Sequence, residues 1–450
     1  TNRYETSYGI KLKNDIENPV LVGLRDMRLK YMHEQMVNDP AVKLKLASNY
    51  ATVANYWKFF EGETKQLIKF NTQQQKEEYE AKFTSWAKGK PEYENIMTDY
   101  AKNYAGWTPY SKLRQYINEG ISGSPLMAYA ASLKSLEDKL LKPSTPSAEI
   151  KKAIAAATAS RKTSLEKEDL PSDEKIVAAV AMMYYNNIDK NQHPVGFYES
   201  MKGTYGSLKE EATYKSWAKT VFANTMLLND AKWDDFAAHP QAVTLQADPA
   251  FAFANAFTSN YNTKFAPLYD AFVNKNNELG RAYLKGIMEM NPAAVKKMYP
   301  DANLSMRVSY GNVKSYAPRD AVKYDYVCTS KGILEKYVAG DYEFDLPKKQ
   351  VELLKKRDFG QYIDKAKNDL VVTFITTNDI TGGNSGSPVI DANGNLLGLA
   401  FDGNYEALSH KIAFDKDLNR TICVDVRYVL WCIDKLGGAG NIIKELKLVK

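Results

Sequence analysis

Cysteine is scarce, with three in 450 residues, at positions 328, 423 and 432. An odd number at wide spacing builds neither a disulfide framework nor a metal site. Cys423 and Cys432 lie in apolar surroundings and read as small core residues. Histidine is nearly as scarce: the four are His33, His193, His239 and His410. With no H-E-x-x-H pattern and no Cys/His cluster, a metalloenzyme is not expected, and neither a metal nor a cofactor is implied. No apolar run is long enough to span a bilayer. Basic residues (60) barely exceed acidic ones (54), for a net charge of +6, and no dense Lys/Arg block suggests a nucleic-acid surface. The nearest run, Lys348, Lys349, Lys355, Lys356 and Arg357, reads as a solvated helix face. The chain opens at Thr1 without a methionine or a signal-like segment, which suggests a processed protein or a piece of a longer one.

Aromatic residues are plentiful, with 30 tyrosines, and disordered chains are poor in them. The length suffices for two or three domains with real cores. The pattern changes twice along the chain. In residues 1–18, Tyr4, Tyr8 and Ile10 suggest a brief strand. From 19 to 303 the pattern is helical. Leu24, Met27, Leu29, Tyr31 and Met32 recur at three-to-four spacing, and the Ala- and Lys-rich stretch 148–162 is a strong helix former. Ser147 and Ser172 read as N-caps, the latter followed by Asp173 and Glu174, whose charges suit a helix start. Ile176, Val177, Val180, Ala181 and Tyr184 then share one stripe. Prolines 143, 146, 171, 194 and 292 punctuate the series.

From 304 to 450 the sequence turns to short strands. Candidates are 304–311 (LSMRVSYG, with Met306, Val308 and Tyr310 on one side), 325–330, 371–377 and a run beginning at Thr421. Asn393-Gly394 between two apolar runs is a strong hairpin signal. RYVLWCIDKL at 427–436 reads as a closing helix ended by Gly437 and Gly438. The expected fold is α+β: a small β-barrel, with residues 1–18 supplying one strand and a large all-α domain inserted.

The segment most suggestive of chemistry is Thr381-Gly382-Gly383-Asn384-Ser385-Gly386-Ser387-Pro388. A serine nucleophile needs a tight turn that lifts its hydroxyl clear, with amide hydrogens nearby for the developing oxyanion. Glycines on both sides permit such a turn, and the N–H groups of Gly383 and Ser385 are the natural donors. On chemistry alone, a polar turn with no catalytic role fits equally well.

TGGNSGSP resembles the nucleophile motif of chymotrypsin-fold peptidases of the bacterial glutamyl-endopeptidase type. The wider stretches NDITGGNSGSPVIDANGNLLGLAFDGNYEAL (378–408) and RTICVDVRYVLWCIDKLGGAGNIIKEL (420–446) resemble the C-terminal part of bacterial dipeptidyl peptidases with an α-helical cap. The resemblance implies a chymotrypsin-like fold, release of dipeptides from free N-termini, and Ser385 as nucleophile. It implies Asp402 as the carboxylate that holds the substrate's α-ammonium group, a charge-assisted bond. Asn55, in ANYWKFF, is the candidate cap-domain asparagine on the same amine, with a plain surface helix residue as its alternative. Gly403 falls where the family sorts its P1 preference: arginine suits acidic side chains, whereas glycine leaves an uncharged pocket for hydrophobic ones such as Leu, Met or Phe.

Family members carry the general-base His and its Asp ahead of the helical domain, and none of the four histidines here has that context. His410 reads as a solvent-facing loop residue. The expectation is therefore a chain lacking its N-terminal catalytic segment, inactive alone, with that segment either lost or carried on a separate chain, and peptides as the other partners. A serine without a base is a poor nucleophile. The family also implies a periplasmic location and a homodimer. A non-catalytic, helical peptide-binding protein on a β scaffold is the competing reading.

Overall fold

The computed structural model describes residues 4–166, 168–296, 298, 305–341 and 343–449. The chain divides into two compact units, Thr6–Lys296 and Thr1–Glu5 with Lys297–Lys450.

The first unit is all helix. Residues expected to form a strand instead start it: Ser7–Leu12 is a helix whose N-cap, Thr6, accepts the Gly9 N–H. Glu80 fixes the same start by accepting Ser7 N–H at 2.7 Å and its hydroxyl at 2.5 Å. The spacing of Tyr8 and Ile10 fitted a strand, but these helix-start bonds and burial of Ile10 and Leu12 decide otherwise. The helical unit therefore begins at Thr6 rather than 19. A π-helical turn, Lys13–Glu17, leads into Asn18–Met36, which buries Leu21, Leu24, Leu29, Met32 and Met36 along one stripe.

Two of the expected caps also fall elsewhere. Ser147 is the first residue inside its helix, behind Pro146. At the next helix, Leu170–Asn187, Asp169 is the cap and accepts the Ser172 N–H at 3.0 Å. Pro171 occupies the first turn, where a missing N–H costs nothing. Aromatic edges and faces fill the interior. Phe257 lies 4.7 Å from Tyr184, 4.7 Å from Phe253 and 4.9 Å from Phe197, ring centre to ring centre.

In the second unit the described strands form two sheets. β1 (Tyr316–Arg319) and β2 (Val322–Tyr324) make a hairpin. β3 (Val327–Thr329), β4 (Val371–Thr376), β5 (Ser387–Ile390), β6 (Leu396–Gly403) and β7 (Thr421–Asp425) form one antiparallel sheet in the order β3-β4-β7-β6-β5. This sheet is open, so the expected closed barrel is not found among the described residues. The short strands β3 and β5 are its two edges and do not pair with each other.

The hairpin signal at Asn393-Gly394 is the β5–β6 turn. Asp391 accepts the N–H groups of Asn393 and Asn395, and Gly394 takes the left-handed φ of 82° that the turn requires. The alternating segment after 304 is not a strand over the described residues 305–311, although Val313 bridges to Thr376 just beyond. Met306, Val308 and Tyr310 are 91%, 81% and 91% exposed, so nothing buries them. Residue 304 lies outside the described residues.

The sheet's core is Phe374, Ala400 and Cys423. Beside it, Trp431 joins Leu354, Phe359, Tyr362 and Leu370. The helix Val426–Trp431 starts at Asp425, which ends β7 by accepting the Arg427 N–H. It runs through a π-helical turn, Cys432–Leu436, to Gly437 and Gly438, and one more helix, Gly440–Glu445, follows.

Candidate active site

Ser385 lies in the connection between β4 and β5. The foot of this connection is fixed on two sides. Thr377 N–H donates to Asn312 O at 2.9 Å, and the Thr421 hydroxyl donates to Asn378 O at 2.7 Å. The tip is a turn that Asn384 closes on itself. Its side-chain oxygen accepts the Thr381 N–H at 2.9 Å, and its own N–H donates to Thr381 O at 3.2 Å. Gly383 adopts φ 99°, a conformation that L side chains rarely take. The far end is tied to β6 through Gly386 N–H and Ala400 O at 2.7 Å, and Ser387 N–H donates to Asn384 O at 2.9 Å.

These bonds use the N–H groups of Thr381, Asn384, Gly386 and Ser387. The N–H groups of Gly382, Gly383 and Ser385 have no acceptor among the described residues. Ser385 is exposed, and its hydroxyl is likewise without a partner there. The turn is thus ordered by its neighbours' bonds while one hydroxyl and three amides stay available, the composition an oxyanion-stabilising turn requires.

Asp402 and Gly403 end β6, directly beside the sheet's middle strand β7, where the pairing with β7 shifts register between Ala400 and Asp402. Asp402 is exposed, not the buried carboxylate that an amine anchor suggests. Its Oδ1 accepts the Gly403 N–H at 2.8 Å. Gly403 is half-buried, and a β-carbon built there would come 3.1 Å from that of Ala407.

The segment after Gly403 is braced by buried polar groups that sequence reading did not single out. Arg420, 2% exposed, donates to the carbonyls of Lys314, Ser315, Lys416 and Asn419. Glu406 accepts the Tyr316 hydroxyl and the Asn404 amide, both at 2.9 Å. Burial raises the Tyr316 phenol to about 12, and the Glu406 carboxylate adds to the shift. No spacing in the sequence advertises this network, because its members lie up to 106 residues apart.

His410 is not the solvent-facing residue the sequence suggested. Its side chain is 15% exposed, and its Nδ1 lies 3.2 Å from Oδ1 of Asp379, at the foot of the Ser385 turn. The other three histidines belong to the helical unit. His33 and His239 are exposed. His193 sits 3.0 Å from Ile188 O, with burial holding its imidazole below the usual range. Asn55 also belongs to that unit, exposed on the helix Pro40–Lys69.

The family model for peptidase S46 matches residues 1–448, and the chain belongs to that family. It is 34% identical over its whole length to an "Asp/Glu-specific dipeptidyl-peptidase" of Flavobacterium psychrophilum, covering 61% of that protein. It is 35% identical, again over its whole length, to a "Dipeptidyl-peptidase 7" of Capnocytophaga gingivalis, covering 62% of it. Among solved structures, Porphyromonas endodontalis DPP11 in complex with the dipeptide Arg-Glu superposes with a TM-score of 0.86 at 25% identity, over 98% of this chain and 62% of that one.

These matches correct one expectation. The resemblance is not confined to the C-terminal part but runs along the entire chain. A chain lacking its catalytic segment, and inactive for that reason, finds no support in them, and neither does a homodimer. The chain spans about three-fifths of the length of the curated relatives it matches.

Proposed function

We propose that this chain acts in the release of dipeptides from free peptide N-termini. The Ser385 hydroxyl attacks the carbonyl of the second residue, and the bond from that carbonyl to the third residue's nitrogen breaks. The hydroxyl proton leaves with the departing amine, and water then frees the dipeptide from the serine ester. The observation that supports this most is the Ser385 turn itself. An exposed hydroxyl and unpaired amides, Gly383 and Ser385 among them, sit on a turn, Thr381 to Ser387, whose other amides are all engaged. The amides of Gly383 and Ser385 would receive the negative charge that develops on the carbonyl oxygen, a contribution of about 3 kcal/mol per donor to the barrier. Asp402 keeps one carboxylate oxygen clear of its bond to Gly403 and would pair with the substrate's ammonium group. That pairing explains why a free N-terminus is needed.

At P1 the reading is an apolar side chain. Position 403 carries no cation, and the contact distance to Ala407 leaves a small, uncharged wall. A buried Leu-sized side chain gains roughly 1.5–3 kcal/mol from leaving water, enough for a preference but not for absolute selection. One relative's name prints an Asp/Glu specificity and the other's prints none, so this preference rests on Gly403 alone.

Two measurements test the reading. A fluorophosphonate reagent should label Ser385, mapped by mass spectrometry; labelling of a different serine, or of none, refutes the assignment. Dipeptides with a free amine should bind, and Asp402→Ala should weaken them about tenfold, the scale of a lost charge-assisted bond. Equal binding of N-acetylated dipeptides would remove Asp402 from the site.

A further inference from the structure

The pair His410–Asp379 lies outside the groups used above, yet it joins two segments that the reaction needs to hold together. Asp379 is the only titratable residue in the stretch Asn378–Gly386 that presents Ser385. His410 stands in the loop that begins directly after Asp402 and Gly403 and returns to β7 at Thr421. The two side chains are 31 residues apart in sequence and mostly buried, at 15% and 22% exposure.

The His410 loop is itself held firmly. Its N–H donates to Ala407 O at 2.9 Å, and Asn419 donates to Glu406 O at 2.6 Å. Other charged groups of this loop have their own partners. Glu406 is taken by Tyr316 and Asn404. Asp415 accepts the N–H groups of Asp417 and Leu418, and Arg420 is spent on four carbonyls. Lys411 sits next to His410 in the chain, while Lys416 and Asp417 are exposed at the loop's far end. Asp379 is therefore the carboxylate placed to meet the imidazole.

We propose that His410 is a positioning residue. By bonding Asp379, it clamps the foot of the Ser385 turn to the loop behind Asp402 and Gly403, so that nucleophile and substrate-recognition edge are held as one body. The proposal rests on the peptidase reading for its consequence in catalysis, but not for the clamp itself. When the imidazole is protonated, the bond is charge-assisted and at its strongest. When the proton leaves, a weaker neutral bond remains, and the turn is held less tightly.

The experiment compares the full chain with His410→Ala, His410→Gln and Asp379→Asn. Amide hydrogen exchange over Asn378–Gly386 should quicken about tenfold in His410→Ala, as the loss of one such bond implies, and less in His410→Gln, which can still donate. The imidazole of His410, followed by NMR, should release its proton at lower pH in Asp379→Asn than in the unaltered chain. Fluorophosphonate labelling of Ser385 should slow as pH rises through the His410 titration, and this step should vanish in His410→Gln. Unchanged exchange in His410→Ala, or an unmoved His410 titration in Asp379→Asn, overturns the clamp. Absence of Ser385 labelling in the unaltered chain overturns the peptidase reading instead, and the exchange and NMR results then decide the clamp alone.

Discussion

The helical unit and the β unit solve opposite problems. The helical unit spends its sequence on burial. Its fully buried large side chains include Trp107, Trp233, Tyr184, Phe83, Phe251, Phe253 and Phe257, and some of its buried polar groups are answered across helices, as Asn18 is by Glu63 and Arg25 by Glu119. The described residues of the β unit include two small apolar clusters, and many large apolar side chains there are exposed, Met306, Val308, Tyr310, Ile390 and Phe401 among them. Its sequence goes instead into backbone shape: six of the nine glycines with positive φ lie between 340 and 438, including Gly383, Gly386 and Gly394. Mass and chemistry are thus separated. The larger unit is built for packing, and the smaller one for presenting particular atoms on turns.

If that contrast is right, the two units should respond differently to substitution. The largest stability effect belongs in the helical core. Phe257→Ala removes a ring in edge contact with Tyr184 and Phe197, and should cost about 3–5 kcal/mol in urea unfolding while leaving the exchange of Asn378–Gly386 near its original rate. A loss under about 1 kcal/mol would show that the aromatic cluster re-forms around the void and that packing is not what holds this unit together.

A smaller, pH-dependent effect belongs to Glu168 and Asp173. Both are almost fully buried, at 4% and 2% exposure. Ser124 donates to one Asp173 oxygen at 2.7 Å, while the remaining oxygens of the pair have only each other and the Leu126 N–H to answer them. Arg28 and Lys45 favour the charged forms from a distance, but burial dominates and raises the titration of both acids. A raised carboxyl keeps its proton in the folded chain above 4.5, where the unfolded chain has released it. The folded state then binds more protons, so stability is lost as pH rises from about 5 upward, at up to about 1.4 kcal/mol per pH unit for one proton. Glu168→Gln supplies a permanent donor to Asp173 and should flatten this slope, leaving the variant about 1–2 kcal/mol more stable than the unaltered chain at pH 8 and little changed at pH 5. Urea midpoints at the two pH values decide it, and a steeper loss in the variant would mean that the acids do not share a proton.

What could be read from the sequence follows the same division. Helical periodicity, the β-branched strand at 371 and the Asn393-Gly394 turn are local signals, and the structure carries them. The Ser385 turn was legible for the same reason, since its glycines and Asn384 act within a few residues. Apart from the two misplaced caps, the misreadings have non-local causes. Ser7 is helical because Glu80 anchors it from 73 residues away. The alternating stretch after 304 has the pattern of a strand, but no strand beside it over most of its length. The His410–Asp379 pair and the Arg420 brace depend on how the sheet brings separate loops together. Periodicity records which face is apolar; it does not record which distant polar group will arrive.

The smallest stability effect, and the sharpest test of the contrast, is at Gly383. A methyl group there would meet nothing within 4 Å, so packing offers no objection. Only the backbone objects, because φ 99° is unfavourable for any residue with a β-carbon. Gly383→Ala should therefore cost only about 1–2 kcal/mol, by strain or by reshaping of the turn. Reshaping would rotate the Gly383 N–H, one of the unpaired amides beside Ser385, away from where the acyl oxygen forms. The expected outcome is a chain that unfolds nearly as before but loses about 100-fold or more in its rate of reaction at Ser385, as for one missing oxyanion donor. Equal fractional losses of stability and reactivity would mean that the turn matters only as structure, and the separation of packing from presentation would fail at the place it was drawn from.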